Sequence, residues 1–513
     1  MKQNARRVAK SLARRKRKIQ QRLRKADATR FARMKPAINT AGMKYELAEK
    51  SQAIAYGGVP LLLRVAKEVG LIDAIDEGVP IFIKRAGYFE SDHVLNLAMN
   101  PLCEGTCLQH IERRRNDEVF LNAIGAEAIP DPTTEGDFCR RFTEHRVRLL
   151  LDAINKSRLN VWKRQSPDFF DVATLDADGT FTLTTGECKP GMDINYKGEW
   201  GYHPLVLSLA NTGEVLSVLN RPGNRPSHEG AAGEFDRAIV LCRQAGFKKI
   251  LLRGDTDFSQ TAYLDHWHEQ ADVTFQFGYD ARKNLSEIAD DLPTSAWSTL
   301  QRPARYQVAT KPRTKPHNTK KAIVRQREYL NLRLQGEQVA EFEYQPTACT
   351  RPYRMIVVRK NISKERGENV LFEELRDFYY ITNDRTATAA EIVFSCNDRC
   401  NQENLHAQLA DGVRALTAPV NSLVANWAYM VMTSLAWTLK AWSALLLPIT
   451  PRHRAAHEAA RKTWLRMEFK TFVNEVLKIP SQIIRQGHRV IHRLLNYTPQ
   501  LPTLFRLAAV LRC

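Results

Sequence analysis

Two apolar runs that each end in a pair of carboxylates constrain this chain more than any other feature. Val172-Ala-Thr-Leu leads into Asp176 and Asp178, and Lys248-Lys-Ile-Leu-Leu-Arg leads through Gly254 into Asp255 and Asp257. Short aliphatic runs bounded by turn residues read as strands, and α/β folds gather their ligands at the carboxyl ends of strands. Between the two runs lie a second strand, Pro204-Leu-Val-Leu-Ser-Leu-Ala, the turn Asn211-Thr-Gly-Glu214, a third strand to Leu219, and an amphipathic helix from Ala231 to Ala245. Three strands, a helix and a further strand predict the start of a mixed α/β sheet. A third acidic motif, Arg399-Cys-Asn-Gln-Glu-Asn404, falls in a helical pattern that puts Arg399 one turn before Glu403, with Asn404 beside it.

At 513 residues the chain exceeds one ordinary core. Its texture divides it into a basic arm (1–45), a helical domain (46–150) to which the resemblance given below assigns DNA binding, the first part of the α/β core (165–282), an inserted β domain (283–384), a helical second part with Glu403 (385–450) and a basic C-terminal region (451–513). In the helical domain, Val59-Pro-Leu-Leu-Leu-Arg-Val-Ala keeps three-and-four spacing. Pro130-Asp-Pro-Thr-Thr-Glu opens a helix that carries Arg140 and Arg141, either the end of a helix-turn-helix or an ordinary capped helix. Trp427 to Leu447 has Lys440 as its single charge and is long enough to suggest a membrane span. Asn421, Asn426 and the basic segment after it favour a buried core helix instead.

The net charge of +20 and a pI near 9.6 point to a polyanionic partner, nucleic acid above all. Residues 1–45 hold 16 Lys/Arg against Asp27 alone, which leaves only +5 for the other 468. Such an arm is a DNA-binding helix, a disordered electrostatic grip or, a weaker reading, an organelle transit peptide. The stretch Gln301 to Gln326 carries eight basic residues, Lys320 and Lys321 among them, and no acid, which favours contact with phosphates. Nine cysteines scattered from Cys103 to Cys513 do not make a disulfide framework and suit a reducing compartment. Cys103, Cys107 and His110 could share a helical face as zinc ligands, but no second pair accompanies them and packing is the better reading. Met1 to Lys25 lacks an apolar core, so the chain is expected in the cytoplasm, near the nucleoid and off the membrane.

Asp176 and Asp178 stand two apart on a strand, so both carboxylates point to one face and either could hold a metal ion. The order strand-Asp, strand-Asp, helix-Glu is the layout of a ribonuclease-H-like core. There two Mg²⁺ ions held by a few carboxylates would activate an attacking hydroxyl and stabilise the leaving 3′ oxygen.

With these motifs in place the chain resembles an insertion-sequence DDE transposase of the 1380 group, a superfamily branch with a β-rich insertion. The carriers are Leu175-Asp-Ala-Asp-Gly-Thr, Pro222-Gly-Asn224, Arg253-Gly-Asp-Thr-Asp-Phe, Tyr380-Ile-Thr-Asn383 and Asn401-Gln-Glu-Asn404, together with Gly87-Tyr-Phe-Glu-Ser-Asp near the N-terminus. The resemblance implies a catalytic triad of Asp178 (or Asp176), Asp255 and Glu403, with Mg²⁺ as cofactor and Mn²⁺ able to substitute. It implies cut-and-paste transposition on double-stranded DNA, element ends and target, by a homodimer assembled on DNA. Arg399, Asn404, Arg140, Arg141, Lys320 and Lys321 are the expected DNA contacts. In the family signature Tyr, two residues, Arg, three residues, Glu, six residues, Lys, the chain has Arg399 and Glu403 but Cys396 and Ala410 at the outer positions, with Gln408 a partial substitute. Asp257 stands where the family has Gly. These departures leave a second reading, a transposase-derived DNA-binding protein that has lost catalysis.

Overall fold

The computed structural model describes residues 2–28, 45, 52–83, 87–302, 317–366, 369–486 and 489–512. Most of the basic stretch 301–326 and the part of the basic arm beyond residue 28, Tyr45 apart, lie outside them. The rest of that arm is one helix, α1 (Lys2–Ala28).

At the centre is a nine-stranded mixed sheet. Its strands are β1 (Val172–Gly179), β2 (Leu205–Leu209), β3 (Glu214–Leu219), β4 (Lys249–Gly254), β5 (Val273–Tyr279), β6 (Ser298–Thr299), β7 (Leu330–Tyr344), β8 (Tyr353–Arg366) and β9 (Asn369–Thr382). Their spatial order is β6-β7-β8-β9-β5-β4-β1-β2-β3. β1, β2 and β3 form an antiparallel meander, whereas β4 and β5 run parallel to β1. The strands of residues 283–384 do not form a separate sheet: β9 pairs antiparallel with β5, Tyr380 opposite Gly278 and Ile381 opposite Phe277. The motif Tyr380-Ile-Thr-Asn383 fastens this junction. Asn383 accepts from the Phe275 N–H at 2.9 Å and donates to the Val273 carbonyl at 3.1 Å, and Thr382 donates to the Phe275 carbonyl at 2.6 Å.

Period-two alternation gives the sheet two apolar faces. Met355 and Val357 belong to the main core, while Ile356 and Val358 join a second cluster with Ile392, Val393 and Cys396. Those last three come from helix α4, once α2 (Glu144–Trp162) and α3 (Ala231–Ala245) are counted; α4 spans Ala389–Asp398, and α5 (Asn401–Ala407) follows it. Thr388 and Glu391 form a capping box that starts α4.

The apolar stretch at Trp427 is the buried helix α6 (Leu423–Leu445). Among the described residues no helix is long and apolar enough to cross a membrane. Its tryptophans explain the composition: Trp427 donates to the Val218 carbonyl, Trp437 to Gly213 at 2.7 Å and Trp442 to Glu214 at 2.8 Å, each ring packed in the core with its N–H satisfied on or beside β3. Lys440 donates to the Leu465 carbonyl at 2.9 Å and lies 3.9 Å from the Trp437 ring; burial pushes its pKa down to about 7.

Candidate active site

β1 and β4 are parallel neighbours in register, Leu175 opposite Leu252 and Asp176 opposite Arg253, so their carboxyl ends deliver Asp178 and Asp255 to one edge of the sheet. Asp255 caps the short turn that follows, accepting from the Asp257 N–H at 3.0 Å. Space at this edge is tight. A Cβ on Gly254 would fall 2.4 Å from Phe258, and one on Gly278 would fall 2.8 Å from the Thr256 nitrogen, so both positions need glycine.

The two alternatives at the first motif have different surroundings. Arg253 donates to both oxygens of Asp176, at 2.7 and 2.8 Å, and its remaining nitrogen donates to the Ser395 carbonyl of α4 at 2.7 Å. Asp176 is buried and each of its oxygens accepts one bond of this fork. The carboxylate braces β1 and β4 against α4. Asp178 has no such fork. Arg399 donates to it at 3.2 Å and the Gly179 backbone N–H bonds it as well, and the Asp178 and Arg399 side chains are only 13% exposed.

Burial, partly offset by Arg399 and reinforced by nearby Asp255, raises the Asp178 pKa to about 7. Asp255 is raised as well, by burial first, against Arg399, with Asp257 and Asp280 adding to the shift. Asp257, the residue foreign to the resembled pattern, is exposed and works by its charge on Asp255. A group that burial and like charges push toward neutrality is one that gains most from a bound cation.

Arg399, at the junction of α4 and α5, is that cation here. It feels Asp178, Asp255 and Asp176 together, and their charges outweigh the burial that acts against its own. Glu403 sits one turn further on, exposed on α5. The α5 helix is fixed by Gln402, which donates to the Val206 carbonyl at 3.1 Å and accepts from Ser208 at 2.5 Å. The structure thus brings Asp178, Asp255 and Arg399 together, while Glu403 faces solvent one turn beyond Arg399. Among the described residues no three His, Cys, Asp or Glu side chains converge closely enough to chelate an ion. Cys103, Cys107 and His110 make no such group either; the His110 Nδ1 accepts from the Thr106 N–H at 3.1 Å.

The other expected contacts are scattered. Asn404 is exposed on α5, and Lys320 and Lys321 are exposed on the short helix Thr319–Gln326. Arg140 is ion-paired to Asp137 and donates to Asn421 at 3.2 Å, and Arg141 lies over the Phe82 ring at 5.6 Å. The Gln408 side-chain oxygen accepts from the Phe469 N–H at 2.8 Å. Two histidines near the site went unread in the sequence. The half-buried His203 meets the Arg225 carbonyl through Nδ1 at 2.7 Å, and the buried His406, held to a pKa of about 4 by burial, Arg399 and His203, lies one turn beyond Glu403. Nothing in their local sequence marks them, because only the β2 and α5 packing brings them near. The motif Pro222-Gly-Asn224 also has a local reason: a Cβ on Gly223 would fall 2.3 Å from the Asp193 carbonyl, in the small sheet that follows β1.

Fold and site together define a mixed α/β protein with a half-buried acidic centre at the ends of adjacent parallel strands. The family model "Transposase DDE domain group 1" matches residues 51–513, so the chain belongs to the DDE transposases, a family of DNA-cleaving phosphoryl-transfer enzymes. Among solved structures it is similar to a piggyBac transposase synaptic complex with hairpin DNA, at 11% identity over 82% of this chain and 80% of that one, with a TM-score of 0.39. No curated protein matches the sequence.

Proposed function

We propose that the chain is an insertion-sequence transposase of the 1380 group that binds the terminal inverted repeats of its element, cleaves the DNA strands there and joins the freed 3′ ends to a target. The observation that carries this reading is the placement of Asp178 and Asp255 at the carboxyl ends of adjacent parallel strands, both buried enough to be raised in pKa, with Arg399 at the joint of the two helices that follow and Glu403 on the second. The order β3-β2-β1-β4-β5, an antiparallel meander followed by two parallel strands, supports a ribonuclease-H-like core.

The donor chemistry fits Mg²⁺, a hard cation bound by a few carboxylates and water. The Arg399 guanidinium already stands as a positive charge beside Asp178 and Asp255. Asp178, Asp255 and Glu403 would hold the metal, which supplies Lewis acidity to the attacking and leaving oxygens. The protein's own groups position the DNA: Arg399 and Asn404 reach the backbone beside the acids, and Arg140, Arg141, Lys320 and Lys321 supply further phosphate contacts. A homodimer on paired ends and a nucleoid location belong to the same reading. The alternative, a DNA-binding protein without catalysis, is favoured by Cys396, Ala410 and Asp257.

The test is an end-cleavage assay on a linear fragment carrying the element's own terminus, with Mg²⁺ or Mn²⁺. Wild type should nick, and Glu403→Gln should nick slower by roughly a hundredfold or more, the scale on which single catalytic groups act. Binding without nicking by wild type would favour the alternative, and equal nicking by Glu403→Gln would remove Glu403 from the triad.

A further inference from the structure

Three features of Arg399 point the same way. Its guanidinium lies 3.2 Å from Asp178 and within the influence of Asp255, the two carboxylates assigned to the metal. The neighbouring acid Asp176 is already neutralised by its own fork with Arg253, so Arg399 is not needed there. It also sits at the joint between α4 and α5, with its side chain tucked in, while Asn404 and Glu403 on α5 face solvent. A guanidinium and a divalent ion on the same carboxylate repel each other, and a planar guanidinium pairs with phosphate as readily as with carboxylate.

We propose that Arg399 competes with the divalent metal for Asp178, and that a DNA backbone phosphate relieves the competition by drawing the guanidinium off the carboxylate. Metal loading is thereby coupled to DNA: the free protein holds the ion weakly, and the DNA-bound protein holds it tightly. The proposal rests on the transposase reading of the site. Thermodynamic reciprocity adds a requirement that a bystander arginine would not meet: the metal must tighten DNA binding by the same factor by which DNA tightens metal binding.

Mn²⁺ binding to the purified full-length chain, followed by the electron paramagnetic resonance of the free ion, tests this without any turnover. In the absence of DNA, Arg399→Gln should bind Mn²⁺ about tenfold more tightly than wild type, within the usual range of coupling between sites. Arg399→Lys, which keeps the charge, should stay within about threefold of wild type. A duplex carrying the element's end should tighten Mn²⁺ binding to wild type by about tenfold and to Arg399→Gln by less than about twofold. Equal affinity of Arg399→Gln and wild type overturns the proposal and leaves the transposase reading standing. If Arg399→Gln does not fold, the duplex titration of wild type decides, and no change in Mn²⁺ affinity on adding DNA overturns it. Mn²⁺ binding that survives Asp178→Asn with Asp255→Asn would overturn the metal site itself and the competition with it.

Discussion

Glu214 is the residue whose role differs most from its local appearance. In sequence it closes the turn Asn211-Thr-Gly-Glu214; in the structure it is fully buried and accepts from Arg158 at 3.2 Å, Trp162 at 3.0 Å, Trp442 at 2.8 Å and Thr212 at 2.7 Å. It joins α2, β3 and α6 through one carboxylate. Glu214→Gln would leave the Arg158 guanidinium buried without its counter-charge, which costs about 3 to 5 kcal/mol. Against a total stability of roughly 5 to 15 kcal/mol that is a large share, and urea unfolding should show it as a lower midpoint at unchanged slope. A loss below about 1 kcal/mol would mean that the network only fills space. The acids of the site follow the same logic. Asp255 was legible because an apolar strand and a glycine lead into it, whereas Asp176 and Asp178 share a strand face and local pattern treats them alike. Their difference lies in Arg253, which is 77 residues away from Asp176 in the chain and 2.7 Å away in space.

Among the elements, α1 carries 12 Lys/Arg over 27 residues, a helix about 40 Å long. Its pattern left a choice between a helix and a disordered grip. What fixes it as a helix at the described positions is a foothold: Leu12 packs on the core and Arg15 donates to the Leu494 carbonyl at 3.0 Å. Most of its basic side chains remain exposed, as the proposed contact with DNA requires. Removing residues 1–28 should therefore weaken DNA binding and flatten its dependence on salt, because fewer counterions are released. A salt slope equal to that of the full chain would make α1 a bystander. The α6 helix gave the opposite problem, since its length and its single charge suit both a membrane span and a core. Three indole N–H groups satisfied on or beside β3 are what make it a core helix, and that pairing is a property of the assembled sheet.

For the whole molecule, the decisive feature is that the β-rich insertion continues the central sheet. Asn383 holds the seam by pairing with both Phe275 and Val273, so Asn383→Ala leaves a partly buried donor and acceptor unpaired, at about 1 to 3 kcal/mol. Because β9 and β5 share one ladder, this variant should lower a single cooperative transition, with near-ultraviolet circular dichroism and tryptophan fluorescence melting together. Two separated transitions would show instead that β7 to β9 fold as a unit of their own. The sequence by itself determined the strands, the acids at their ends, the buried helix and the basic character, since each rests on short-range periodicity, turn chemistry or charge. Only the tertiary structure decided that Arg253 takes Asp176, that Arg399 sits on Asp178 and that the insertion extends the sheet. Those outcomes depend on which distant side chains compete for a carboxylate or a strand edge at hydrogen-bond distance, and no local pattern encodes that competition.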